Sequence, residues 1–308
     1  MISGPHIESA LNRDLRTTAL TQFPPPAASS SAFHISAELD IHAEVGAYSL
    51  RTARTRDDRE AACRLRFRVF NVELGEGLDS SYETGLDTDR FDAVCEHLVV
   101  EEKSSGRVVG TYRMQSGATA ARNLGYYSAQ EFELRPYEPL RTGILELGRA
   151  AIDRAHRTPE VLTLLWRGIA QYAHGMGLRY LLGCSSLNSV DPAEGWQMYS
   201  QLRNFRVGPE FETMPTAAYA CPNEPQAVST QTFACKVTPK SQTQEHASPA
   251  ALQVKVPKLL RTYFAIGARI AAPPAFDREF RTIDFLTLLD LEMLSAAARN
   301  RFLAPLAP

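Results

Sequence analysis

Between residues 47 and 256, segments with helical periodicity alternate with short β-branched segments, and this order limits the possible folds more than any other feature of the chain. Helices are predicted at 57–74, 159–174 and 193–202. Strands are predicted at 48–53, 97–101, 107–114, 143–152, 179–184 and 232–237. The residues Lys103-Ser104-Ser105-Gly106 separate two of these strands and predict a hairpin. We therefore expect an α+β fold in which helices flank a mixed central sheet.

The chain has 308 residues, and we divide it into three parts. Residues 1–46 contain a triple proline and an Ala/Ser run, so we expect a disordered N-terminal extension. Residues 47–256 form the predicted domain, which includes a polar stretch at 238–249. Residues 257–308 alternate apolar and basic side chains, among them Leu259, Tyr263, Lys258 and Arg261. This pattern predicts a C-terminal helical extension that packs on the domain, or alternatively lies on an anionic membrane surface.

Composition excludes several classes of protein. Hydrophobic residues make up 44% of the chain, and 33 basic residues are balanced by 35 acidic ones. This excludes a wholly disordered chain and gives no basic excess for a nucleic-acid partner. The five cysteines form no CxxC pair, so we expect no disulfide framework and no metal site. No apolar run reaches the roughly 18 residues that a spanning helix needs, and no secretory signal is visible, so we expect a cytoplasmic protein.

The informative polar residues occur in short pairs rather than in a known nucleotide-binding or hydrolase motif. On the predicted helix 57–74, Arg66 falls between two apolar stripes, whereas Arg64 and Arg68 fall on the opposite side. A buried guanidinium needs a carboxylate or phosphate partner. The other pairs are Asp89-x2-Asp92, Gly110-x2-Arg113 and Glu146-x2-Arg149. Each is ordinary alone, but together they lie on elements that we expect to converge on one side of the sheet.

Glu146 and Arg149 add a geometric condition. Residues three apart on a regular strand face opposite ways, so these two share a face only if Gly148 marks a β-bulge. A bulge splays neighbouring strands. The sequence therefore predicts a slot for a narrow, extended ligand beside the strand at 143–152.

Several segments, in this order along the chain, carry a resemblance to a known family. They are LRFRVF, DRFD, VVGTYRM, LELGRAAI, HRTPEVLTLLWRGIAQY and YLLGCSS. The chain resembles GNAT acyltransferases, in particular the branch that takes acyl groups from acyl carrier protein, and within it the L-ornithine Nα-acyltransferases of ornithine-lipid biosynthesis. The usual pyrophosphate loop of GNAT enzymes is replaced here by Arg154 to Pro159.

The resemblance implies a function. The chain is expected to transfer a 3-hydroxy fatty acyl group from acyl carrier protein to the α-amine of ornithine, giving lyso-ornithine lipid. No bound cofactor is implied, since acyl-phosphopantetheine on the carrier protein is the donor. Peripheral contact with the inner membrane is an alternative location. Two other functions stay open: an acyl-homoserine-lactone or other N-acyl amino acid synthase, and a degenerate GNAT-fold module that binds a carrier protein or lipid.

The resemblance also implies roles for named residues. Glu146 is the candidate base or proton relay, with Arg149 orienting it, unless the two form an ordinary structural pair. The expected substrate-binding set, built around a linked ion network or serving only as structural ion pairs, is Arg66, Phe70, Asp89, Asp92 and Arg113. The expected site for phosphopantetheine or the acidic face of the carrier protein, unless these are plain surface residues, is Arg154, Arg157 and Thr158.

Overall fold

The computed structural model of the chain describes residues 39, 41–222, 254–294 and 296–302. The strands in these residues are β1 (His42–Val45), β2 (Tyr48–Thr52), β3 (Glu96–Glu102), β4 (Arg107–Ser116), β5 (Ile144–Ile152), β6 (Tyr180–Leu187), β7 (Arg269–Ile270), β8 (Ala275–Asp277) and β9 (Thr282–Asp290). The helices are α1 (Arg56–Phe67), α2 (Ser81–Thr84), α3 (Gly117–Arg122), α4 (Pro159–Gly175), α5 (Pro192–Gln201), α6 (Lys258–Ile266) and α7 (Ala296–Phe302).

All nine strands form one sheet in the order β1-β2-β3-β4-β5-β6-β9-β7, and β8 pairs with the remaining length of β9. Within the described residues, β5 and β6 are the one parallel pair, and the other pairings are antiparallel. The prediction of a mixed sheet flanked by helices is confirmed. The parallel pair divides the sheet into two antiparallel halves, and this boundary positions the candidate site.

The helix predicted at 57–74 is present, with two differences. The N-cap is Thr55 rather than Asp57, because the Thr55 side chain accepts a hydrogen bond from the Asp58 amide while Asp58 accepts one from the Thr55 amide. After Phe67 the helix continues as a π-helical turn, Arg68–Leu74, which ends at Gly75 with φ 70°.

α4 begins as the sequence predicts. Thr158 is its N-cap and Pro159 its first residue. The helix packs its apolar face on the sheet, and its side chains Val161, Leu165 and Ile169 join the largest core cluster. Trp166 and Tyr172 are buried in the same cluster.

The C-terminal part of the chain is not an extension. β9, within the range 257–308, pairs with β6 over eight residues and carries β7 and β8 on its other side. α6 packs on the core through Leu260, Tyr263 and Ile266. The strand predicted at 232–237, which we expected to complete the sheet, lies outside the described residues, as does the polar stretch 238–249.

The beginning of the domain also needs a correction. β1 lies within the predicted extension 1–46 and pairs with β2 at the edge of the sheet. A four-residue edge strand with alternating exposure leaves a weak sequence signal, because few of its side chains need to be apolar. Residues 1–38 lie outside the described residues. No helix in the described ranges is both long enough and apolar enough to cross a membrane.

Candidate active site

Side chains from α1, β4, β5 and the segment before β3 meet in a buried ion network. Its members are three arginines and three aspartates: Arg66, Arg113, Arg149, Asp87, Asp89 and Asp92. Arg66 is 0% exposed, and its Nη1 donates to Asp92 Oδ1 at 2.7 Å while its Nε donates to Asp87 Oδ1 at 2.8 Å. The sequence-based prediction that Arg66 points inward is therefore confirmed.

The same aspartates serve the other arginines. Arg113 Nη1 donates to Asp89 Oδ1 at 2.7 Å, and Arg149 Nη2 donates to Asp89 Oδ2 at 3.3 Å. Burial raises the pKa of Asp89 and Asp92, but the arginines outweigh it and hold the pKa of both carboxyls below the usual value. Three positive and three negative charges thus compensate one another out of water.

Local sequence explains why Asp89 and Asp92 are presented together. Asp89 caps a 3-10 turn, Arg90–Ala93, by accepting from the Phe91 amide, and Asp92 accepts from the Asp89 amide at 2.8 Å. The Asp-x2-Asp spacing is therefore a capping box, and each carboxylate has an oxygen left for an arginine.

Glu146 on β5 is buried and receives three hydrogen bonds. The amides of Tyr127 and Ser128 donate to it at 2.8 Å and 2.7 Å, and Gln115 Nε2 donates at 3.0 Å. Burial raises the pKa of this carboxyl, and the donors oppose the shift without cancelling it. A buried carboxyl with a raised pKa that is held in one orientation is a candidate proton acceptor.

The bulge that the sequence predicts in β5 is present, but it is centred on Arg149 rather than on Gly148. The β4–β5 register shifts between Thr111 and Arg113, and Arg149 itself has φ 53°. A positive φ in an arginine is a strained conformation that persists where the surroundings determine it. Here the guanidinium lies between Asp87 and Asp89, with its carbon 4.2 Å from the centroid of the Phe280 ring.

The expectation that Arg149 orients Glu146 is not met. The described hydrogen bonds of Glu146 come from Gln115 and from two backbone amides, whereas Arg149 pairs with aspartates. Tyr127 connects the two, because its amide binds Glu146 and the Arg149 guanidinium lies 5.4 Å from its ring centroid.

β5 and β6 diverge directly after Glu146. They are paired only from Ile144 with Tyr180 to Glu146 with Leu182, and both strands continue beyond that point. Gly183 stands at the fork, where a Cβ atom would lie 2.2 Å from the Leu147 carbonyl oxygen. The predicted splay is therefore present, and only glycine fits where it begins.

An open cleft lies on the Arg149 side of this region. Its walls are Leu78, Asp89, Arg90, Phe91, Tyr127, Gln130, Arg149, Tyr219, Asp277, Glu279 and Phe280. The cleft thus joins the ion network, the cover of Glu146 and the turn that follows β8.

The chain is similar to known proteins over most of its length. Among solved structures, the N-acyl amino acid synthase FeeM from uncultured soil microbes superposes with a TM-score of 0.44 at 12% identity, covering 80% of this chain and 93% of that one. The L-ornithine N(alpha)-acyltransferase of Brucella abortus (strain 2308) is 29% identical over 293 residues, which cover 89% of this chain and 98% of the relative. That of Rhizobium meliloti (strain 1021) is 29% identical over 272 residues, covering 85% and 86%. The family model of the acetyltransferase (GNAT) domain matches residues 65–167. The chain is a GNAT-fold acyltransferase.

The matched region of this acyltransferase contains most of the residues that the sequence analysis selected. Arg66, Asp89, Asp92 and Arg113 are brought together in the ion network. Phe70 is not part of it, because this side chain packs against the apolar cluster around Leu65 and Val69 on the π-helical turn. Its assignment to substrate binding stays a prediction that the ion network does not support.

The residues expected to bind phosphopantetheine have different surroundings. Thr158 accepts from the Val161 amide as the N-cap of α4, and Arg157 forms a two-fold ion pair with Glu73 at 2.7 Å. Arg154 is exposed. Arg157 is exposed as well, so the two arginines differ in the ion pair with Glu73 that Arg157 forms.

Four leucines lie on the two diverging strands. Leu145, Leu181 and Leu182 are buried in the core clusters, and Leu147 is half-buried where the fork begins. His97 is 1% exposed, and burial lowers its pKa to about 4.

Sequence reasoning missed several residues of the site. Asp87 completes the ion network, Gln115 and the amide of Ser128 hold Glu146, and Tyr127 covers it. The spacing Asp87-x-Asp89 is a signal that points to Asp87, whereas backbone donors leave no trace in a sequence.

A second acidic group was also missed. Glu131, Asp277 and Asp284 each place a carboxylate oxygen within 4.8 Å of the others, and among the described residues this is the one acidic, histidine or cysteine group close enough to hold a metal ion. Glu131 precedes Asp277 by 146 positions and Asp284 by 153, so no local motif predicts that the three residues meet. The four cysteines in the described ranges form no disulfide.

Proposed function

We propose that this acyltransferase transfers a 3-hydroxy fatty acyl group from acyl carrier protein to the α-amine of ornithine and produces lyso-ornithine lipid. The observation that carries the proposal is the similarity to curated L-ornithine N(alpha)-acyltransferases over 82–89% of the chain. In this reaction the thioester C–S bond breaks, an amide C–N bond forms, and the amine loses a proton.

Glu146 is the proposed acceptor of that proton. An α-ammonium group has an ordinary pKa of about 7.7–8.0 and must be deprotonated before it attacks the thioester. The raised pKa of buried Glu146 brings the carboxyl closer to that range. Its fixed hydrogen bonds to the Tyr127 and Ser128 amides favour one orientation of the carboxyl beside the fork.

The fork between β5 and β6 is the proposed site of the thioester. Beyond Glu146 the two strands have no mutual pairing, so the β5 backbone there is free of a β6 partner. Backbone N–H groups in such a place stabilise the oxyanion that forms on the thioester carbonyl. The apolar side chains Leu145, Leu147 and Leu181 beside the fork suit the acyl chain.

The carrier protein is proposed to bind next to the start of α4. The N-terminus of a helix favours a phosphate group, and Arg154 and Arg157 flank it. Because Glu73 already neutralises Arg157, we expect Arg154 to contribute more to an acidic partner. The product is amphiphilic, and we propose peripheral contact with the inner membrane near α6, where Leu259 is exposed between Lys258 and Arg261.

Amide formation by the purified full chain tests this function. The donors are a 3-hydroxyacyl carrier protein and the matching acyl-coenzyme A, and the amines are ornithine, lysine, glycine and S-adenosylmethionine. We expect N-acyl ornithine as the main product, with the carrier-protein donor preferred. A homoserine lactone formed from S-adenosylmethionine, or no thiol release with any amine, contradicts the proposal.

Glu146→Gln tests the proton acceptor. We expect kcat/KM to fall by about 10²–10⁴ while the fold persists, because removal of a general base costs this much. Glu96→Gln is the matched control, since burial also raises the pKa of Glu96 and its side chain binds Tyr172 at 2.9 Å, away from the ion network. Full activity of Glu146→Gln, or an equal loss in both variants, removes the assignment.

A further inference from the structure

An acidic group that reaches the cleft wall through Asp277 consists of Glu131, Asp277 and Asp284. Glu131 follows the 3-10 turn Tyr127–Gln130, Asp277 ends β8, and Asp284 lies on β9. The three residues are 1%, 2% and 5% exposed. In the ranges that the structure describes, no arginine or lysine forms an ion pair with any of them. The chain thus concentrates negative charge here without compensating it.

The group also has unused hydrogen-bond acceptors. Glu131 Oε2, Asp284 Oδ1 and the hydroxyl of Thr282 are buried and have no hydrogen-bond partner. Thr282 is paired directly with Asp277 across β8 and β9, and it shares a sheet face with Asp284 two residues on. Asp277 is held by the amides of Glu279 and Phe280 at 2.8 Å and 2.9 Å. Such a place needs a ligand that brings donors and positive charge.

An independent observation comes from the opposite side of the cleft. Arg149 lines the same cleft as Asp277, its side chain is 10% exposed, and its Nε is buried without a hydrogen-bond partner. An unpartnered guanidinium N–H recognises an oxyanion. The wall of one cleft therefore contains a guanidinium for a carboxylate and one aspartate of the acidic group, Asp277.

The ion network is a poor alternative for binding a cation. Asp87, Asp89 and Asp92 are each in contact with two arginines. Their negative charge is already balanced, so a substrate ammonium there would have to displace a guanidinium. Of the two aspartates that the sequence analysis associated with the substrate, Asp89 lines the cleft and Asp92 belongs to the ion network alone.

We propose that Glu131, Asp277 and Asp284 bind the side-chain ammonium of a dibasic amino acid whose α-carboxylate faces Arg149. This assignment rests on the proposed function and adds the source of its amine specificity. An ammonium group brings one positive charge and three N–H donors, which matches three carboxylates with free oxygens. Burial and the neighbouring carboxylates raise the pKa of Glu131 and Asp284, and the positive charge of a bound ammonium group opposes this shift.

The experiment compares ornithine with norvaline, which has the same carbon chain and no side-chain amine. The purified full chain is assayed with one acyl donor, and kcat/KM is measured for each amine. We expect a preference for ornithine of about 10² or more, because a site built for a polar group strongly rejects an analogue that lacks it. In Asp284→Asn we expect ornithine kcat/KM to fall about 100-fold and norvaline kcat/KM to change less than about 3-fold.

Controls separate this assignment from a structural role. Glu212→Gln, a change of an exposed carboxylate outside the cleft, is expected to keep the ornithine preference. Glu131→Gln is the second variant if Asp284→Asn does not fold, as judged by thermal melting. An equal loss for both amines, or an unchanged preference in both variants, overturns the proposal.

Two further arms complete the test. If the wild-type chain acylates neither amine, the proposed function fails. The affinities for ornithine and norvaline, measured by calorimetry, then test the ammonium site separately. Equal affinities overturn it. Assays with EDTA and with added Mg²⁺ address a metal ion. If EDTA removes the activity, Mg²⁺ restores it, and Asp284→Asn abolishes this dependence on the metal, the group binds a metal ion. The ammonium site is then overturned.

Discussion

At the scale of single residues, charge compensation decides which side chains the fold tolerates in its interior. Arg66 has no contact with solvent, yet its guanidinium meets two carboxylates and the Asp87 carbonyl oxygen. A charge buried in this way is costly to leave alone, even where the complete pair adds little to stability. The network is therefore more sensitive to the loss of one member than its net charge suggests.

Arg66→Ala is expected to lower the free energy of unfolding by about 3–5 kcal/mol, because Asp87 and Asp92 then keep a buried charge without this partner. Urea denaturation measures the change. Arg64→Ala on the same helix is the control, since that side chain is 52% exposed and pairs with Glu60 on the surface. We expect a change of less than about 0.5 kcal/mol for it. Equal effects of the two variants would mean that the network does not stabilise the fold.

His97 gives a pH-dependent contribution to stability. Burial lowers its pKa to about 4, while the unfolded chain has the ordinary value near 6.5, so the unfolded state binds more protons between these limits. As the pH falls from about 6.5 to 4, the parent should lose stability relative to His97→Gln by at most about 1.4 kcal/mol per pH unit.

Urea titrations of both proteins across this pH range check the sign. His42→Gln serves as the surface control, because the His42 side chain is 57% exposed. A difference between the parent and His97→Gln that stays constant from pH 7 to 4 would contradict the shifted pKa of His97.

At the scale of elements, the fork between β5 and β6 depends on one small residue. A Cβ atom at Gly183 would lie 2.2 Å from the Leu147 carbonyl oxygen, and backbone cannot move aside as a flexible side chain can. Gly143, at the other end of the paired region, has its nearest neighbour at 3.8 Å, the Tyr180 ring. A side chain therefore fits at Gly143 but not at Gly183.

Gly183→Ala is expected to destabilise the protein by about 1–3 kcal/mol through overpacking and to reduce turnover, because the strands must part where the thioester is proposed to bind. Gly143→Ala is the control, and we expect near-parental stability and activity. Thermal melting and amide formation measure both. A Gly183→Ala protein with parental activity would show that the fork does not hold the reacting groups.

The sequence predicts most elements of the first part of the domain because local rules specify them. Thr158 and Pro159 predict the start of α4, and the Ser-Ser-Gly turn predicts the β3–β4 hairpin. The inward position of Arg66 follows from helical periodicity alone. The bulge was displaced by one residue, since glycine is the usual choice for a positive φ and here Arg149 adopts it in order to reach the aspartates.

Features that depend on distant pairing were not predictable from local patterns. Glu131, Asp277 and Asp284 come together only through the pairing of β8 with β9 and the turn after Tyr127. The partners of Glu146 include two backbone amides, which have no residue identity. The role of β9 was missed because an apolar run such as Thr282–Asp290 is compatible with a helix or a strand. Pairing with the free edge of β6 makes it a strand, and local sequence does not show this pairing.

At the scale of the whole molecule, the last strand in the chain is a central one. β9 has neighbours on both sides, with β6 along one edge and β7 and β8 along the other. The C-terminal region is therefore part of the core that supports the site.

Hydrogen exchange followed by mass spectrometry checks this arrangement. We expect the amides of β9 to exchange as slowly as those of β3 and β4, because all three strands are paired on both edges. The amides of β1, at the edge of the sheet, are expected to exchange faster and serve as the internal comparison. Exchange of the β9 amides as fast as those of β1 would mean that the C-terminal region is peripheral to the core.

The short parallel seam has a mechanical consequence. Strands β1 to β5 and strands β6 to β9 each keep their own antiparallel ladders, and only three residue pairs hold the two sets together. If the fork binds the acyl chain as proposed, a lipid tail in the gap separates no β5–β6 residue pair beyond those three. We then expect substrates of different width to be accommodated by repacking of the leucine side chains rather than by loss of strand pairing.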